Sequence, residues 1–478
     1  MKILLTGSTG YIGRRLKKRL LEDAAIDLRL FVTDRHSLTK EARGRAEVVE
    51  GNTFDRKSLE RAVEGVNTAY YLIHSMGAGG DFEELDRESA RNFLAACLDA
   101  GVKRIIYLGG LGVKESASRH LHSRIETGEI LSSRPDLIQT LWFRAGIIIG
   151  SGSASFEIIR NLVQKLPVMI TPRWVRTFTE PVDIGSVLEY LYRAKDLRVE
   201  GNHVIDIGSG VMSFRQMLSE AASAMGLRRL MLPVPVFSPK LSSYWLVLFT
   251  PVPYRIAAPL VEGLKSETVK QNNAAQELFP GIEPMTFRGS ILSAMRDIEQ
   301  RQVISRWSDA TGGPGFFQEA DFGMERAMLK YRVNKSVQVI APADVFNAVQ
   351  AIGGKNGWFR YHILWKIRGI IDKLGGGYGL NRGRRDSSTL RVGDSLDFWK
   401  VLAVEQGRRL LLYGEMKMPG KAWLEFIVNE GEFIQTAYFL PKGLAGRIYW
   451  YFLYPVHVII FRDMAGQLLR RARALSVS

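Results

Sequence analysis

Through the first half of the chain, short apolar runs alternate with longer stretches whose apolar residues fall three and four positions apart. Ile3, Leu4 and Leu5 form the first run, too short for a helix and suited to a buried strand. The stretch behind it sets Ile12, Leu16 and Leu20 on one helical face, with Arg14, Arg15, Lys17 and Lys18 mostly off it. The same alternation predicts strands over 28–32, 48–53, 69–73, 102–108 and 141–148, with helices over 58–63 and 82–100. Val182-Asp183-Ile184 opens a further helix, a late strand lies within 201–208, and another helix spans 212–225. Such alternation predicts an α/β domain on a doubly wound parallel sheet. The stretch 167–181, with Arg173, Trp174 and Arg176, reads either as a substrate-pocket wall or as a surface hairpin.

The pattern changes after residue 230. Prolines punctuate the apolar stretch 230–264, and its longest unbroken apolar run, 244–249, is far short of a membrane span. An amphipathic stretch over 285–305 closes the first domain, and Thr311-Gly312-Gly313-Pro314-Gly315 reads as linker. Beyond it come an alternating strand over 333–340, a helix start at Pro342 and strands over 395–405, 409–416, 422–429 and 433–439. A long apolar helix over 445–474 ends the pattern. The division is 1–305, a linker over 306–330, and an α+β domain over 331–478. The basic loop at 374–385 lacks the G-K-[ST] ending of a phosphate-binding P-loop.

At 478 residues, 46% hydrophobic and 24% charged, the chain can bury more than one sizeable core. Its one cysteine, Cys97, excludes an internal disulfide, and its apolar helical setting reads as a buried inert thiol. The seven histidines lack metal-ligand spacing. Residues 1–13 carry the strand-and-glycine pattern rather than that of a signal peptide, so a cytoplasmic location is expected. The net charge of +16 is concentrated in 331–478, which hold 22 Lys and Arg against 11 Asp and Glu. That surplus either attracts an anionic partner or only solvates a basic face. Nothing beyond charge speaks for nucleic acid, so no such partner is expected.

The chemistry begins at the first turn. Gly7, Gly10 and Gly13 stand three apart between strand and helix, in T-G-S-T-G-Y-I-G. Bare glycine backbone lets a pyrophosphate come close, and a helix start offers it unpaired N–H groups and a positive dipole end. Gly7, Ser8, Thr9, Gly10, Tyr11, Ile12 and Gly13 are therefore expected to bind a dinucleotide. Thr33, Asp34 and Arg35 follow the second strand, where an acid suits the ribose hydroxyl of NAD and an arginine the 2′-phosphate of NADP. Both are present, with Arg14 after the glycines, so NAD(P)(H) is expected and the choice stays open with a lean to NADP.

This glycine spacing resembles the extended and atypical branches of the short-chain dehydrogenase/reductase superfamily, NmrA-like members included. The resemblance implies a Rossmann sheet on which Asn52, Thr53, Ile73, His74, Gly109 and Gly146 also border the cofactor. It puts Asn92 in the register of a structural or active-site asparagine. Relatives place a serine or threonine after the fifth strand and Tyr-x-x-x-Lys on the next helix. Here the strand ends Tyr107-Leu108-Gly109-Gly110, and the helix reads His120-Leu121-His122-Ser123-Arg124. His120 stands for the tyrosine and Arg124 for the lysine, one turn apart on one face. Histidine titrates near neutrality and serves as general acid, and arginine hydrogen-bonds ribose hydroxyls.

The order of elements in 331–478 resembles the SRPBCC (START-like, helix-grip) fold, which wraps a hydrophobic cavity. The motifs G-D-S-L-D-F-W at 393–399 and G-E-M-K-M-P-G-K-A-W at 414–423 look like those of an uncharacterised domain joined to atypical short-chain reductases in bacteria. Together the resemblances imply a cytoplasmic NAD(P)(H)-dependent reductase of an apolar carbonyl, quinone or lipid-like substrate. The missing serine–tyrosine–lysine set leaves a second expectation, a cofactor-binding sensor or assembly factor with a protein partner. The aromatic stretch 448–461, between Arg447 and Arg462, leaves a third. It either contacts an anionic membrane peripherally or faces its own core.

Overall fold

The computed structural model describes residues 1–74, 82–171, 173–233, 254–263, 266–300, 304, 329–353, 358, 368–369, 372, 390, 392, 394–416 and 418–476. The apolar run 244–249, the linker at 311–315 and the basic loop 374–385 lie outside them. The chain divides into two compact units, Met1–Thr250 with Tyr254–Gly315, and Phe316–Ser478 with Pro251–Pro253.

In the first unit, strands β1 (Lys2–Thr6), β2 (Asp27–Val32), β3 (Glu47–Glu50), β4 (Thr68–Tyr71), β5 (Arg104–Gly110), β6 (Gln139–Ala145) and β7 (His203–Ile207) form one sheet. They pair in parallel in the order β7-β6-β5-β4-β1-β2-β3. Between them run helices α1 (Tyr11–Glu22), α2 (Arg56–Val63), α3 (Phe82–Asp99), α4 (Arg119–Leu131), α5 (Ala154–Lys165) and α6 (Ile184–Ala194). Ile3 and Leu5 pack with Leu16 and Leu20 of α1 and Val187 and Leu191 of α6. Leu4 packs on the other face with Leu59 of α2, Phe93 and Cys97 of α3 and Ile125 of α4. With both faces covered, the strands must read as unbroken apolar runs, each buried leucine contributing about 2 kcal/mol. Strand order reverses between β1 and β4, which opens a crevice at the carboxyl ends of the strands.

Three local expectations are corrected. β5 runs through Gly110, so Gly109 lies inside the sheet. The strand expected over 141–148 is Gln139–Ala145, and the separate Ile148–Ile149 pairs with Val182–Asp183. The stretch 167–181 is no hairpin: Val168–Thr171 pairs in parallel with Leu230–Pro233, and Phe178–Thr179 with Met212–Ser213.

The second unit holds β8 (Leu329–Ser336), α7 (Pro342–Gln350), β9 (Ser395–Leu396), β10 (Trp399–Glu405), β11 (Arg409–Gly414), β12 (Gly420–Asn429), β13 (Glu432–Pro441) and α8 (Gly443–Ser476). Its antiparallel sheet runs β8-β13-β12-β11-β10-β9. The segment 395–405 is two strands rather than one. Asp397 turns between them at φ 57°, and Trp358 Nε1 donates to its Oδ2 at 2.6 Å. The D-S-L-D-F-W part of the G-D-S-L-D-F-W motif, 394–399, therefore encodes a locked turn. Val345 and Phe346 of α7, with Phe461, Met464 and Leu468 of α8, pack with Leu412 and Phe426 of the sheet in one core.

Candidate active site

The turn after β1 is built for close approach. Gly7 sits at φ +65°, and a Cβ there would overlap the Leu72 carbonyl. A Cβ on Gly13 would overlap the Gly7 carbonyl, which accepts the Gly10 N–H at 3.0 Å. Gly10 caps α1 with no side-chain hydrogen bond, so the first-turn N–H groups of Tyr11, Ile12 and Gly13 have no partner within the helix. The Ser8 hydroxyl is buried without a hydrogen-bond partner. This donor set fits a pyrophosphate. Tyr11 itself turns away: its hydroxyl donates to the Ser151 carbonyl at 3.3 Å, and burial raises its pKa. Arg14 Nε donates to the Thr9 carbonyl at 2.7 Å, bracing the turn.

The other expected cofactor residues line the same carboxyl edge with different duties. After β2, Thr33 and Arg35 are exposed, whereas Asp34 is buried and its carbonyl takes the Ser37 hydroxyl at 2.6 Å. Asn52 Oδ1 accepts the Phe54 N–H at 3.1 Å, so this side chain closes its own turn. Asn92 Nδ2 donates to the Thr53 carbonyl at 3.0 Å, which makes Asn92 a brace for that turn. Ile73 packs against the α3 side of the sheet. At Gly146 a Cβ would lie 2.6 Å from the Glu180 carbonyl oxygen.

Beyond β4 and β5 the histidines meet. His74 Nδ1 lies 3.0 Å from Asp86 Oδ2, and His74 Nε2 lies 3.0 Å from His120 Nδ1. The Ser123 hydroxyl donates to the same Asp86 oxygen at 2.9 Å. Asp86 can only accept from His74, so it fixes the proton on Nδ1 and orients the chain Asp86–His74–His120. Burial lowers the His120 pKa well below the usual histidine range, with His74 and Arg124 adding to the effect and Asp86 opposing it. Burial likewise lowers that of His74, against the pull of Asp86. Both imidazoles therefore rest neutral at pH 7. Arg124 Nη2 donates to the Leu108 carbonyl at 2.6 Å, which pins it to β5. Where relatives carry a hydroxyl, Gly109 leaves room for an indole: a Cβ there would lie 2.5 Å from Trp142 Nε1.

His74 thus has both ring nitrogens engaged by the relay. Asp86 and Ser123 belong to the site as well. The signal for Asp86 was an acid on the face of α3 that also carries Ser89, Ala90, Phe93 and Cys97, all buried.

Residues 7–133 match the model of a family described as NAD(P)H-binding, and residues 328–464 match one described as a protein of unknown function (DUF2867). The chain is 33% identical over 113 residues to the (4-alkanoyl-5-oxo-2,5-dihydrofuran-3-yl)methyl phosphate reductase of Streptomyces griseus subsp. griseus. That match covers 24% of this chain and 36% of the reductase, so it spans about a third of the relative. The triphenylmethane reductase of Citrobacter sp. aligns over 62% of this chain and 100% of its own, with 20% identity and a TM-score of 0.51. The same reductase complexed with NADP(H) aligns over 61% and 99%, with 18% identity and a TM-score of 0.50. At these identities the likeness is one of fold. The first unit has a Rossmann-like fold whose residues 7–133 match the NAD(P)H-binding model, and the second is a separate antiparallel-sheet domain.

Proposed function

We propose that the protein is an NAD(P)(H)-dependent reductase of an apolar carbonyl, quinone or lipid-like molecule, with NADP(H) preferred. The observation that carries this reading is the Asp86–His74–His120 chain at the carboxyl edge that also bears the glycine turn. When bound, the nicotinamide supplies the hydride. The Gly7–Gly13 turn, the open start of α1 and Ser8 hold the pyrophosphate, and exposed Arg35 meets a 2′-phosphate.

The protein supplies the proton. In the neutral pair His74 Nε2 accepts the Nδ1–H of His120, which leaves His120 Nε2 as a base. One added proton makes that nitrogen a donor and puts the positive charge on His74, against Asp86. As His120 Nε2–H passes to a substrate oxygen, the His74 Nε2 proton moves to His120 Nδ1 and the neutral pair returns. Burial and Arg124 disfavour the charged form, so the proton leaves readily. An apolar substrate is supported by the second unit, where Trp399, Met416, Trp450, Leu453 and His457 help line a cavity of about 330 Å³. The order of its elements also supports the helix-grip reading.

The test is turnover on a carbonyl and quinone panel beside NADPH and NADH binding. NADPH is expected to bind more tightly, and His120→Ala to lower turnover by about 100-fold or more at unchanged NADPH affinity. Unchanged turnover would remove His120 from the chemistry. The Trp142 indole in place of the hydroxyl favours a second reading, a cofactor-binding sensor or assembly factor. Bound NADPH that no panel member oxidises, with a co-purifying protein, would establish that reading instead.

A further inference from the structure

We propose that the outer face of α8 seats the protein on an anionic lipid surface. Among the described residues, α8 is the one helix long and apolar enough to cross a membrane by length and composition. It is apolar on both sides. Trp450, Ile460, Phe461 and Met464 enter the core of the second unit. On the opposite side Leu444, Ile448, Tyr451, Pro455 and Ile459 recur at three- and four-residue spacing, flanked by Phe452. Leu444 is 73% exposed and Phe452 80% exposed. A surface helix ordinarily turns charged residues outward, so an apolar strip of this length marks a surface that meets something other than water.

Charge identifies the occupant. From Phe433 to Arg462 there is no acidic residue, while Lys442, Arg447 and Arg462 are exposed along and beside the strip. A second copy pairing its strip face to face would set arginine against arginine, which costs binding. Anionic headgroups would pair with those cations while Phe452, Tyr451 and Ile448 enter the acyl boundary. A full crossing is disfavoured, because it would pull Trp450, Ile460 and Phe461 out of the folded core. The helix lies along the surface.

The experiment is flotation of the full chain with vesicles of phosphatidylcholine alone and of phosphatidylcholine with phosphatidylglycerol. Binding is expected only to the second, with a decline as salt rises. Ile448→Glu with Phe452→Glu should cut the bound fraction by more than about ten-fold, and Arg447→Gln should cut partitioning by about five-fold. NADPH binding and the thermal transition of these surface variants should stay unchanged. Failure to float with either vesicle overturns the proposal, as does equal binding to both. So does a concentration-dependent dimer that the double variant dissolves while flotation never occurs.

Discussion

The two units hold half-buried histidines in opposite ways. In the first, His74 and His120 are hydrogen-bonded to each other and, through His74, to Asp86. In the second, His457 lies between the rings of Trp450 and Phe461, and its Nδ1 has no hydrogen-bond partner. Burial pushes all three pKa values down. The sign of the shift is therefore no guide to role. At the relay an acid opposes desolvation, so a proton can arrive and leave with its charge compensated. At His457 desolvation acts alone, and its pKa falls to about 4. The first arrangement suits proton transfer, the second only a neutral wall of an apolar cavity.

The largest effect should come from unwiring the relay. Asp86 raises the pKa of both histidines, and the proposed reduction draws on the protonated pair. Reductive turnover should therefore fall as pH rises through the apparent pKa of the pair, which lies below the ordinary histidine value. Asp86→Asn should shift this limb to lower pH and reduce turnover at pH 7 by about 100-fold, with NADPH affinity unchanged. A variant with wild-type turnover and pH profile would reduce Asp86 to a structural partner and erase the contrast between the units.

The next effect is on stability and falls on the other unit. His457 has a folded pKa of about 4, below the roughly 6.5 of an unfolded histidine. The unfolded state binds more protons between these values, so stability is complete above about pH 6.5 and is lost as pH falls toward 4. From pH 7 to pH 5 the loss attributable to His457 should be about 2 kcal/mol. Urea unfolding at both pH values measures it. His457→Phe should lose about 2 kcal/mol less over the same interval, and an identical loss would show that the ring is not desolvated as the structure has it.

What was legible in the sequence followed from how local each requirement is. The glycine turn was readable because positive φ and close backbone approach are demands on single residues, and the helix that carries His120 and Arg124 one turn apart was readable from local spacing. The relay was not, because residues 74, 86 and 120 belong to three elements that only the sheet brings together. Gly109 and Gly110 read as a strand end because glycine ordinarily breaks strands. Here the cause is tertiary, an indole on the next strand that leaves no room for a Cβ at Gly109. The break within 395–405 was hidden for the opposite reason: its positive φ falls on Asp397 rather than on a glycine.

Asn92 gives the smallest effect and the finest distinction. Its amide donates to the Thr53 carbonyl, tying α3 to the turn after β3. The hydrogen bonds that wire the relay run instead from Asp86 to His74 and Ser123 and from His74 to His120. An asparagine that only braces the turn after β3 should act on binding and stability, not on the proton. Asn92→Ala should cost about 1 kcal/mol of stability, the ordinary net value of one such hydrogen bond. It should also raise the KM for NADPH a few-fold while leaving kcat and its pH profile at wild-type values. A fall in kcat comparable to that of Asp86→Asn would put Asn92 in the proton path, and the division between a wired site and its braces would have to be redrawn.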